Sequence, residues 1–364
     1  MKKILVAIIL GKFNDGGIEK VIMNYYKYIN HNDFEFHFYC YEDSKNIPYN
    51  EIEKNNDKVL LLPNIKNVFK YKRKLTKLLI KYNYDISHVH CNTLSFLALK
   101  CSKKAGIKVR ICSNHSTSNR KEFMRNIIKN ILKRYNLKYA TEYFACSKYA
   151  GDWLYNKNNY FIMKNALLID EYKYNINIRN EYRKKLNIKK DALVIGNISR
   201  FVNGKNHKLV IKIFKEIHKK NSNSILCLIG TGPLENKIKK MVKKYNLEDY
   251  VLFLGYKEDV NNYYQVFDIF LFPSLYEGLG LVLIEAQISG NLCFASSNVP
   301  NEVIITNNIK FISLNKNPTY WSNNILNSYK KYKRKSHTIE AKKNGYDITK
   351  EVKKLENKYK ELVG

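Results

Sequence analysis

Short apolar runs alternate with stretches of helical spacing along the whole chain, and both halves show this alternation. In the first half the runs cover residues 4–10, 34–39, 86–90, 109–113 and 143–145, and a helix is predicted over 18–29 after the glycine loop 11–17. In the second half they cover residues 193–198, 225–229, 251–254, 268–272, 292–295 and 311–313. Short apolar runs are typical of buried strands, and strands that alternate with helices form parallel sheets. The pattern therefore predicts an α/β fold.

The chain is long enough for two domains. Its 364 residues exceed the usual size of a single hydrophobic core. The polar stretch 170–190 lies between the two alternating halves and is the best candidate for a linker and the start of the second domain. A charged helix is predicted over 347–362. The expected division is a first domain over 1–170, a second over 171–345 and a C-terminal helix over 346–364.

The net formal charge of +32 is spread over both halves. Such a surface attracts anionic lipid, nucleic acid or phosphorylated substrates, although abundant Lys, Asn, Ile and Tyr also resemble an AT-rich coding bias. The seven cysteines are scattered and lack CxxC pairs, which indicates reduced thiols in a cytosol. No apolar stretch is long enough to span a bilayer. The polar segment after the first apolar run argues against a signal peptide.

Two glutamates eight residues apart, Glu277 and Glu285, flank a glycine-rich turn after a predicted strand. A helix is predicted over 281–289, ending at Gly290. Open α/β sheets bind ligands at the C-terminal ends of strands, and the backbone N–H groups of a helix N-terminus suit a phosphate. Acceptors on both sides of an anion site suit a nucleotide sugar, whose hydroxyls flank a diphosphate. The alternative is a common turn with solvated glutamates.

Two other loops of the second half carry polar or glycine positions at predicted strand ends. Arg200 and Lys205 follow the strand predicted over 193–198 and could clamp a diphosphate, or they are ordinary residues of a basic protein. Gly230 begins a Gly-x-Gly turn between a strand and a helix. This spacing is either a phosphate-binding turn or a simple tight turn.

The first half has its own candidates. Gly16 and Gly17 permit a close approach of the backbone to a ligand. His115 follows a predicted strand, where it either faces a cleft or is structural. His88 and His90 alternate on a strand without a third spaced ligand, so they are interpreted as packing or polar-face residues rather than metal ligands. No Asp-x-Asp ends a strand, so no metal site is expected.

Two stretches, 69–82 and 120–138, combine an apolar face with a basic one. A basic amphipathic helix is typical of a protein that lies on an anionic membrane surface. The same pattern is also produced by a helix that packs its apolar face into the core and leaves a solvated basic back. The sequence leaves both interpretations open.

Six short motifs are distributed over both halves of the chain: Gly-Gly-Ile-Glu (16–19), Phe-Ala-Cys-Ser (144–147), Met-Lys-Asn-Ala (163–166), Ser-Arg-Phe-Val-Asn-Gly-Lys-Asn-His (199–207), Ile-Gly-Thr-Gly-Pro (229–233) and Pro-Ser-Leu-Tyr-Glu-Gly-Leu-Gly-Leu-Val-Leu-Ile-Glu-Ala (273–286). Together they resemble the family 4 retaining glycosyltransferases (group 1) of the GT-B fold, in their bacterial surface-polysaccharide form. The match is specific in the second half and loose in the first. The chain departs from the family pattern at Ser199 and Asn206, where Gly is usual, and at Leu279, where Phe is usual.

The resemblance implies two Rossmann-like domains with parallel sheets facing a central cleft. The first would bind the acceptor and the second the nucleotide sugar, with the final helix crossing back to the first domain. Glu285 would accept from ribose hydroxyls and Glu277 from the donor sugar. Arg200 and Lys205 would neutralise the diphosphate, and His115 would lie near the transferred sugar. The implied donor site is completed by Gly16, Gly17, Gly230, Gly278, Leu279, Gly280 and Leu281.

The activity implied by the resemblance is transfer of a sugar, with retention, from a nucleotide sugar to a lipid-linked glycan at the cytoplasmic face of the membrane. UDP is expected as the nucleotide from its frequency in the family, and neither a cofactor nor a metal is expected. The products would be capsule, exopolysaccharide or O-antigen. Two alternatives remain: a nucleotide-sugar epimerase on the same fold, and a basic nucleic-acid-binding module, which no nucleic-acid motif supports.

Overall fold

The computed structural model describes residues 2–14, 16–115, 123–156 and 159–364, without the side chains of 123–129. Asp15 and the first residues of the stretch 120–138 therefore lie outside the described residues. Contacts divide the chain into two compact units. Unit 1 comprises Met1–Leu167 and Gly345–Gly364, and unit 2 comprises Leu168–Asn344.

Unit 1 is built on a seven-stranded parallel sheet with the order β3-β2-β1-β4-β5-β6-β7. The strands are β1 (Ile4–Ile9), β2 (Phe34–Tyr41), β3 (Lys58–Leu62), β4 (Ile86–Val89), β5 (Val109–Asn114), β6 (Glu142–Ala145) and β7 (Phe161–Ile162). The helices are α1 (Gly17–Tyr28), α2 (Tyr49–Glu53), α3 (Val68–Tyr82), α4 (Ser95–Lys104), α5 (Phe123–Tyr139) and α6 (Lys148–Tyr155). The strand order reverses between β1 and β4, which creates a crevice at their C-terminal ends.

Unit 2 has a six-stranded parallel sheet with the order β10-β9-β8-β11-β12-β13. The strands are β8 (Leu193–Ile198), β9 (Ser224–Ile229), β10 (Val251–Phe253), β11 (Ile269–Phe272), β12 (Leu292–Ser296) and β13 (Ile309–Ile312). The helices are α7 (Ile176–Lys185), α8 (His207–Lys220), α9 (Glu235–Lys244), α10 (Val260–Val266), α11 (Leu281–Ile288), α12 (Pro318–Tyr329) and α13 (Thr338–Lys343). The strand order reverses between β8 and β11.

The two parallel sheets confirm the predicted α/β fold. The central strands β8, β11 and β12 are buried at every position. Helices on both faces of a parallel sheet cause this burial, so such strands are continuously apolar rather than alternating. Two strands of unit 1 were not predicted: β3, which begins with an exposed lysine and is only partly buried, and β7, which has two residues.

Helix α7 lies inside the stretch 170–190, which was expected to be a linker and the start of the second domain. Its buried residue is Arg183 rather than an apolar side chain, so apolar periodicity does not reveal it. Asp268, just before β11, accepts hydrogen bonds from Arg179 (2.5 Å), from Arg183 (2.8 Å) and from the backbone N–H of Val194 (2.8 Å). This buried carboxylate joins α7 to the sheet.

The last helix, α14 (Ile348–Val363), packs on unit 1. The hydroxyl of Tyr359 lies 2.6 Å from Nδ1 of the His88 ring on β4. The carboxylate of Glu356 accepts from the backbone N–H of Asn30 at 2.8 Å, and Lys360 forms an ion pair with Asp33 at 2.7 Å. Helix α14 is therefore part of unit 1, and it buries Tyr359 there.

The two basic amphipathic stretches differ in how their apolar faces are used. Helix α3 buries Tyr71, Leu75 and Leu79 in the core of unit 1. This apolar face is core-facing, and the basic side chains form the back of the helix. On α5, Ile131 and Tyr135 of the predicted apolar face are exposed. None of the described helices is long and apolar enough to cross a membrane.

Candidate functional site

The turn between β11 and α11 brings the two glutamates of the sequence motif to one end of a helix. Gly280 precedes the first residue of α11 with a φ of +94°, a left-handed conformation that side chains with a Cβ rarely adopt. Within the described structure, no side chain caps this N-terminus. The first amides of a helix lack intrahelical partners, and together with the helix dipole they favour an anion.

Lys205 and Glu277 form an ion pair that links two separate loops of unit 2. The Lys205 ammonium lies 2.6 Å from Oε1 of Glu277, and both side chains are partly buried. The backbone N–H of Leu275 donates to the carbonyl of Gly204 at 2.7 Å, which joins the same two loops. Lys205, the predicted partner of the diphosphate, and Glu277, the carboxylate predicted to bind the sugar, are therefore adjacent. Arg200 is exposed on the loop that follows β8.

Asn206 explains one departure from the family pattern. Its φ is +56° and its ψ is 41°, which is the left-handed helical region. Gly is the usual residue in this conformation, and Asn is among the few others that adopt it readily. The Asn206 amide also donates to the carbonyl of Pro273 at 3.1 Å. The substitution thus keeps the backbone geometry and adds a contact to the loop that carries Glu277.

Glu285 lies in the second turn of α11 and is only 2% exposed. Its Oε2 accepts a hydrogen bond from the hydroxyl of Tyr264 at 2.7 Å. The side chain of Glu277 is 11% exposed. The alternative that both glutamates are solvated surface residues is therefore wrong. Both carboxylates are largely removed from water and held by specific partners, as buried charged groups usually are.

Packing against a neighbouring loop explains why residue 230 is a glycine. Its φ is +128°, and a Cβ at this position would lie 2.3 Å from the carbonyl oxygen of Ser199. The close approach of two loops therefore requires glycine, as the tight-turn interpretation expects. Leu279 is buried, so the change from Phe to Leu affects packing rather than polar contacts. The roles of Gly230, Gly278, Leu279 and Leu281 toward a donor stay predictions.

Gly16 and Gly17 lie at the N-terminus of α1 in unit 1. A Cβ on Gly16 would lie 2.3 Å from Oε2 of Glu19, the end of a flexible side chain that can move aside. A Cβ on Gly17 would meet nothing within 4 Å. The surface above Gly17 is thus open to a ligand, and its predicted contact with a diphosphate stays a prediction.

Three histidines of unit 1 form a cluster at the ends of β4 and β5. The ring centroids of His88 and His90 are 4.0 Å apart, and Nδ1 of His90 lies 2.9 Å from Nε2 of His115. The backbone N–H of His115 donates to the Asn92 side chain at 2.9 Å. Nε2 of His88 lies 2.5 Å from the Ser113 hydroxyl. His115 is thus oriented by side chains from the segment that follows β4, and its role near a sugar stays a prediction.

Burial lowers the pKa of each of these histidines below the ordinary value, to about 4 for His115. They are therefore neutral in the folded protein near pH 7. As the pH falls below about 6.5, the histidines of the unfolded chain take up protons first, which favours unfolding. We expect the melting temperature of unit 1 to fall between pH 7 and pH 5 for this reason.

A His90→Asn variant separates this effect from the titration of carboxylates, which both proteins share. The variant should lose fewer degrees between pH 7 and pH 5 than the unaltered protein does. The measurement is thermal unfolding by circular dichroism at both pH values. Equal losses in the two proteins would show that His90 does not carry the pH dependence.

Sequence reasoning missed several residues that complete these sites. Tyr264 and Asn92 carry no local signal, because each acts on a residue more than 20 positions away. The ion pair of Lys205 with Glu277 joins two residues that were predicted separately. Among the described residues, no three His, Cys, Asp or Glu side chains are grouped so that they could hold a metal ion.

Comparison with known proteins matches both halves of the chain to glycosyltransferases. A family model for glycosyl transferases group 1 covers residues 178–345, and one for glycosyltransferase family 4 covers residues 15–160. The putative glycosyltransferase EpsF of Bacillus subtilis is 31% identical over 313 residues, which are 82% of this chain and 80% of that protein.

Two further comparisons cover nearly the whole chain. The UDP-Gal:α-D-GlcNAc-diphosphoundecaprenol α-1,3-galactosyltransferase of Escherichia coli is 24% identical over 373 residues, with 95% of this chain and 94% of that protein covered. The crystal structure of Anabaena HepE in complex with UDP and glucose matches with a TM-score of 0.81 at 14% identity, covering 97% of this chain and 98% of that one. The fold is GT-B, and the chain belongs to the group 1 glycosyltransferases of family 4.

Proposed function

We propose that this glycosyltransferase transfers a sugar, with retention, from a UDP-sugar to a lipid-diphosphate-linked glycan in the biosynthesis of a bacterial surface polysaccharide. The observation that carries the proposal is the pairing of Lys205 with Glu277 beside the N-terminus of α11, with Glu285 buried one turn further along that helix. The comparisons support it, because the E. coli relative is named for a UDP-Gal donor and a diphosphoundecaprenol acceptor, and HepE binds UDP.

In this proposal the donor binds to unit 2. Its diphosphate rests on the first amides of α11 and on the cations of Arg200 and Lys205. Glu285 accepts from ribose hydroxyls, and Glu277 accepts from hydroxyls of the donor sugar. The Lys205 ammonium is already oriented by Glu277 before the donor arrives, so little side-chain rearrangement is needed when the diphosphate binds.

The proposed chemistry relies on stabilising the leaving group. As the bond from the anomeric carbon to the diphosphate breaks, negative charge develops on the diphosphate oxygens. Fixed amides and cations that meet this charge lower the barrier, because they interact more strongly with the transition state than with the bound donor. The leaving diphosphate then takes the proton from the acceptor hydroxyl as the new glycosidic bond forms.

The proposal is tested by incubating the protein with UDP-sugars and undecaprenyl-diphosphate-linked glycans. We expect a glycosylated lipid product only when both substrates are present, with the anomeric configuration of the donor retained. Donor alone should give no isomeric nucleotide sugar, which separates the transferase from an epimerase. Specific binding of a nucleoside diphosphate other than UDP would show that the assignment of UDP as the donor nucleotide is wrong. A product with inverted anomeric configuration would overturn the assignment of retention.

The nucleotide part has a direct binding test. Titration calorimetry should show that Glu285→Gln weakens the binding of UDP by about tenfold or more, because a charged acceptor of two ribose hydroxyls is lost. The matched control is Glu258→Gln, a change at an exposed glutamate of the same unit. Equal affinities of the Glu285 variant and the control would contradict the assigned role.

We also propose that a basic groove between α3 and α4 contacts the anionic membrane surface at which a lipid-linked acceptor lies. The groove has a volume of about 620 Å³ and includes five cations and no carboxylate among its lining residues: Lys72, Arg73, Thr76, Lys77, Ile80, Lys100, Cys101 and Lys104. Phe69, at the start of α3, is 86% exposed. Cations beside an exposed aromatic ring are suited to an anionic lipid surface.

A triple variant with Lys72, Lys77 and Lys104 changed to Gln tests this contact by vesicle co-sedimentation. Binding to vesicles that contain phosphatidylglycerol should weaken by about tenfold or more, since each basic side chain near an anionic surface contributes about 1 kcal/mol. The control carries the same loss of charge on exposed α9 positions: Lys237, Lys240 and Lys244 changed to Gln. Equal weakening by both variants would show that net charge, rather than this groove, drives the binding.

A further inference from the structure

The hydroxyl of Tyr264 contacts the carboxylate on which the proposed ribose recognition depends. Tyr264 lies on α10 and is completely buried, and Glu285 lies on α11. The hydroxyl donates to Oε2 of Glu285 at 2.7 Å and also lies 3.2 Å from the carbonyl oxygen of Val282. A buried, uncharged tyrosine therefore provides a hydrogen bond directly to a buried carboxylate.

Tyr264 is held rigidly by its own surroundings. Its backbone carbonyl accepts from the Asn291 amide at 3.0 Å and from the Arg334 guanidinium at 2.8 Å. Its ring packs against Phe270 and Phe267, with centroid distances of 5.6 Å and 6.1 Å. The hydroxyl is thus fixed in position, and the carboxylate that it contacts has to adopt the matching orientation.

The hydroxyl of Tyr264 remains a donor near neutral pH. Burial, and secondly the nearby negative charge of Glu285, raise the pKa of Tyr264 well above its ordinary value. The phenol therefore keeps its proton. A carboxylate offers about four lone-pair sites, and Tyr264 occupies one of them. The contact orients the carboxylate without using up its capacity to accept further hydrogen bonds.

We propose that Tyr264 is a positioning residue for nucleotide recognition, which sets the plane of the Glu285 carboxylate so that it can accept both ribose hydroxyls. This inference rests on the proposed function, in which Glu285 binds the ribose. A free glutamate side chain populates several rotamers, and ordering it on binding costs affinity. Tyr264 removes that cost, because the carboxylate is already oriented when the nucleotide arrives.

The test compares UDP with 2′,3′-dideoxy-UDP by titration calorimetry on the unaltered protein and on Tyr264→Phe. The variant should bind UDP about two- to tenfold more weakly, because the Glu285 side chain must then be ordered when the nucleotide binds, and should bind the dideoxy nucleotide as the unaltered protein does. A merely structural tyrosine would weaken both ligands equally or neither, and either result would overturn the inference. Tyr263→Phe, which removes a phenol hydroxyl from the same helix, is the matched control and should leave both affinities unchanged.

The Glu285→Gln background separates this inference from the proposed function. If Glu285 binds the ribose, Glu285→Gln should show a smaller preference for UDP over the dideoxy nucleotide than the unaltered protein does, whereas an undiminished preference would overturn the proposed ribose contact itself. Adding Tyr264→Phe to Glu285→Gln should then cause no further loss of UDP affinity. A further loss as large as in the unaltered background would overturn the positioning role alone. Tyr264→Phe alone leaves the buried charge of Glu285 without this donor and could fold poorly for that reason. The double variant has no charge at position 285, so it can still be compared with Glu285→Gln.

Discussion

Replacing Lys205 by alanine is expected to lower kcat/KM by about a hundredfold to a thousandfold, the loss typical of removing one group that stabilises developing negative charge. The physical reason is the proposed contact of its ammonium with the diphosphate, on which charge grows as the sugar departs. Most of the loss should therefore appear in kcat. The measurement is the initial rate of nucleoside diphosphate release over a range of donor concentrations.

The matched control is Lys208→Ala. Lys208 is exposed in the first turn of α8, three residues beyond Lys205, so the same charge is lost from the same part of unit 2. Its activity should stay close to that of the unaltered enzyme, and both variants should fold normally by circular dichroism. The assigned role of Lys205 is wrong if its variant is as active as the Lys208 control.

Replacing Asp268 by alanine should destabilise unit 2 by about 3–5 kcal/mol, the usual cost of removing one partner from a buried ion pair. Asp268 is the carboxylate that both Arg179 and Arg183 contact, and all three side chains are largely buried. Without it, two neighbouring guanidinium groups keep backbone carbonyl partners but lose their counter-charge. The repulsion between them should detach α7 from the sheet.

The tryptophans allow this loss to be measured in unit 2 alone. The chain has two tryptophans, Trp153 in unit 1 and the buried Trp321 in unit 2. In a Trp153→Phe background, the fluorescence of Trp321 during urea denaturation reports on unit 2. Asp249→Ala, at an exposed aspartate of the same unit, is the control and should keep the original midpoint. A shared midpoint for the two variants would show that the arginine pair does not need Asp268.

The strands that are buried at every position, β8, β11 and β12, were all predicted from the sequence, and so were the partly exposed strands β10 and β13. The three fully buried strands are apolar except at Asn197 and Ser296, because helices cover both sides of the sheet. The stretch that contains α7 was expected to be a linker, because it lacks the apolar periodicity of a packed helix. The residue that α7 buries is Arg183, and the burial of this arginine depends on its bond to Asp268. A helix that is held to the sheet by ion pairs need not show the periodic apolar residues by which helices are recognised in a sequence.

Parts of the candidate site were readable from the sequence because they are local. Glu277 and Gly280 lie in the loop just before α11, and Glu285 lies in the second turn of that helix. Their spacing in the sequence therefore places both carboxylates near the N-terminal end of α11. The burial of these glutamates was not readable, and the alternative of solvated side chains stood until the structure excluded it. Burial depends on what packs over a residue, and the covering residue Tyr264 lies on another helix.

The sequence by itself determined the α/β class, the family and the residue types available for a nucleotide-sugar site. These could be predicted because the spacing of apolar residues and the short motifs each involve positions that are close together in the chain. Only the tertiary structure decided which of these residues meet. Lys205 reaches Glu277 across 72 positions, and Tyr359 reaches His88 across 271. Such contacts follow from the order in which strands join a sheet and from where the last helix packs, and neither is encoded in any single stretch of the chain.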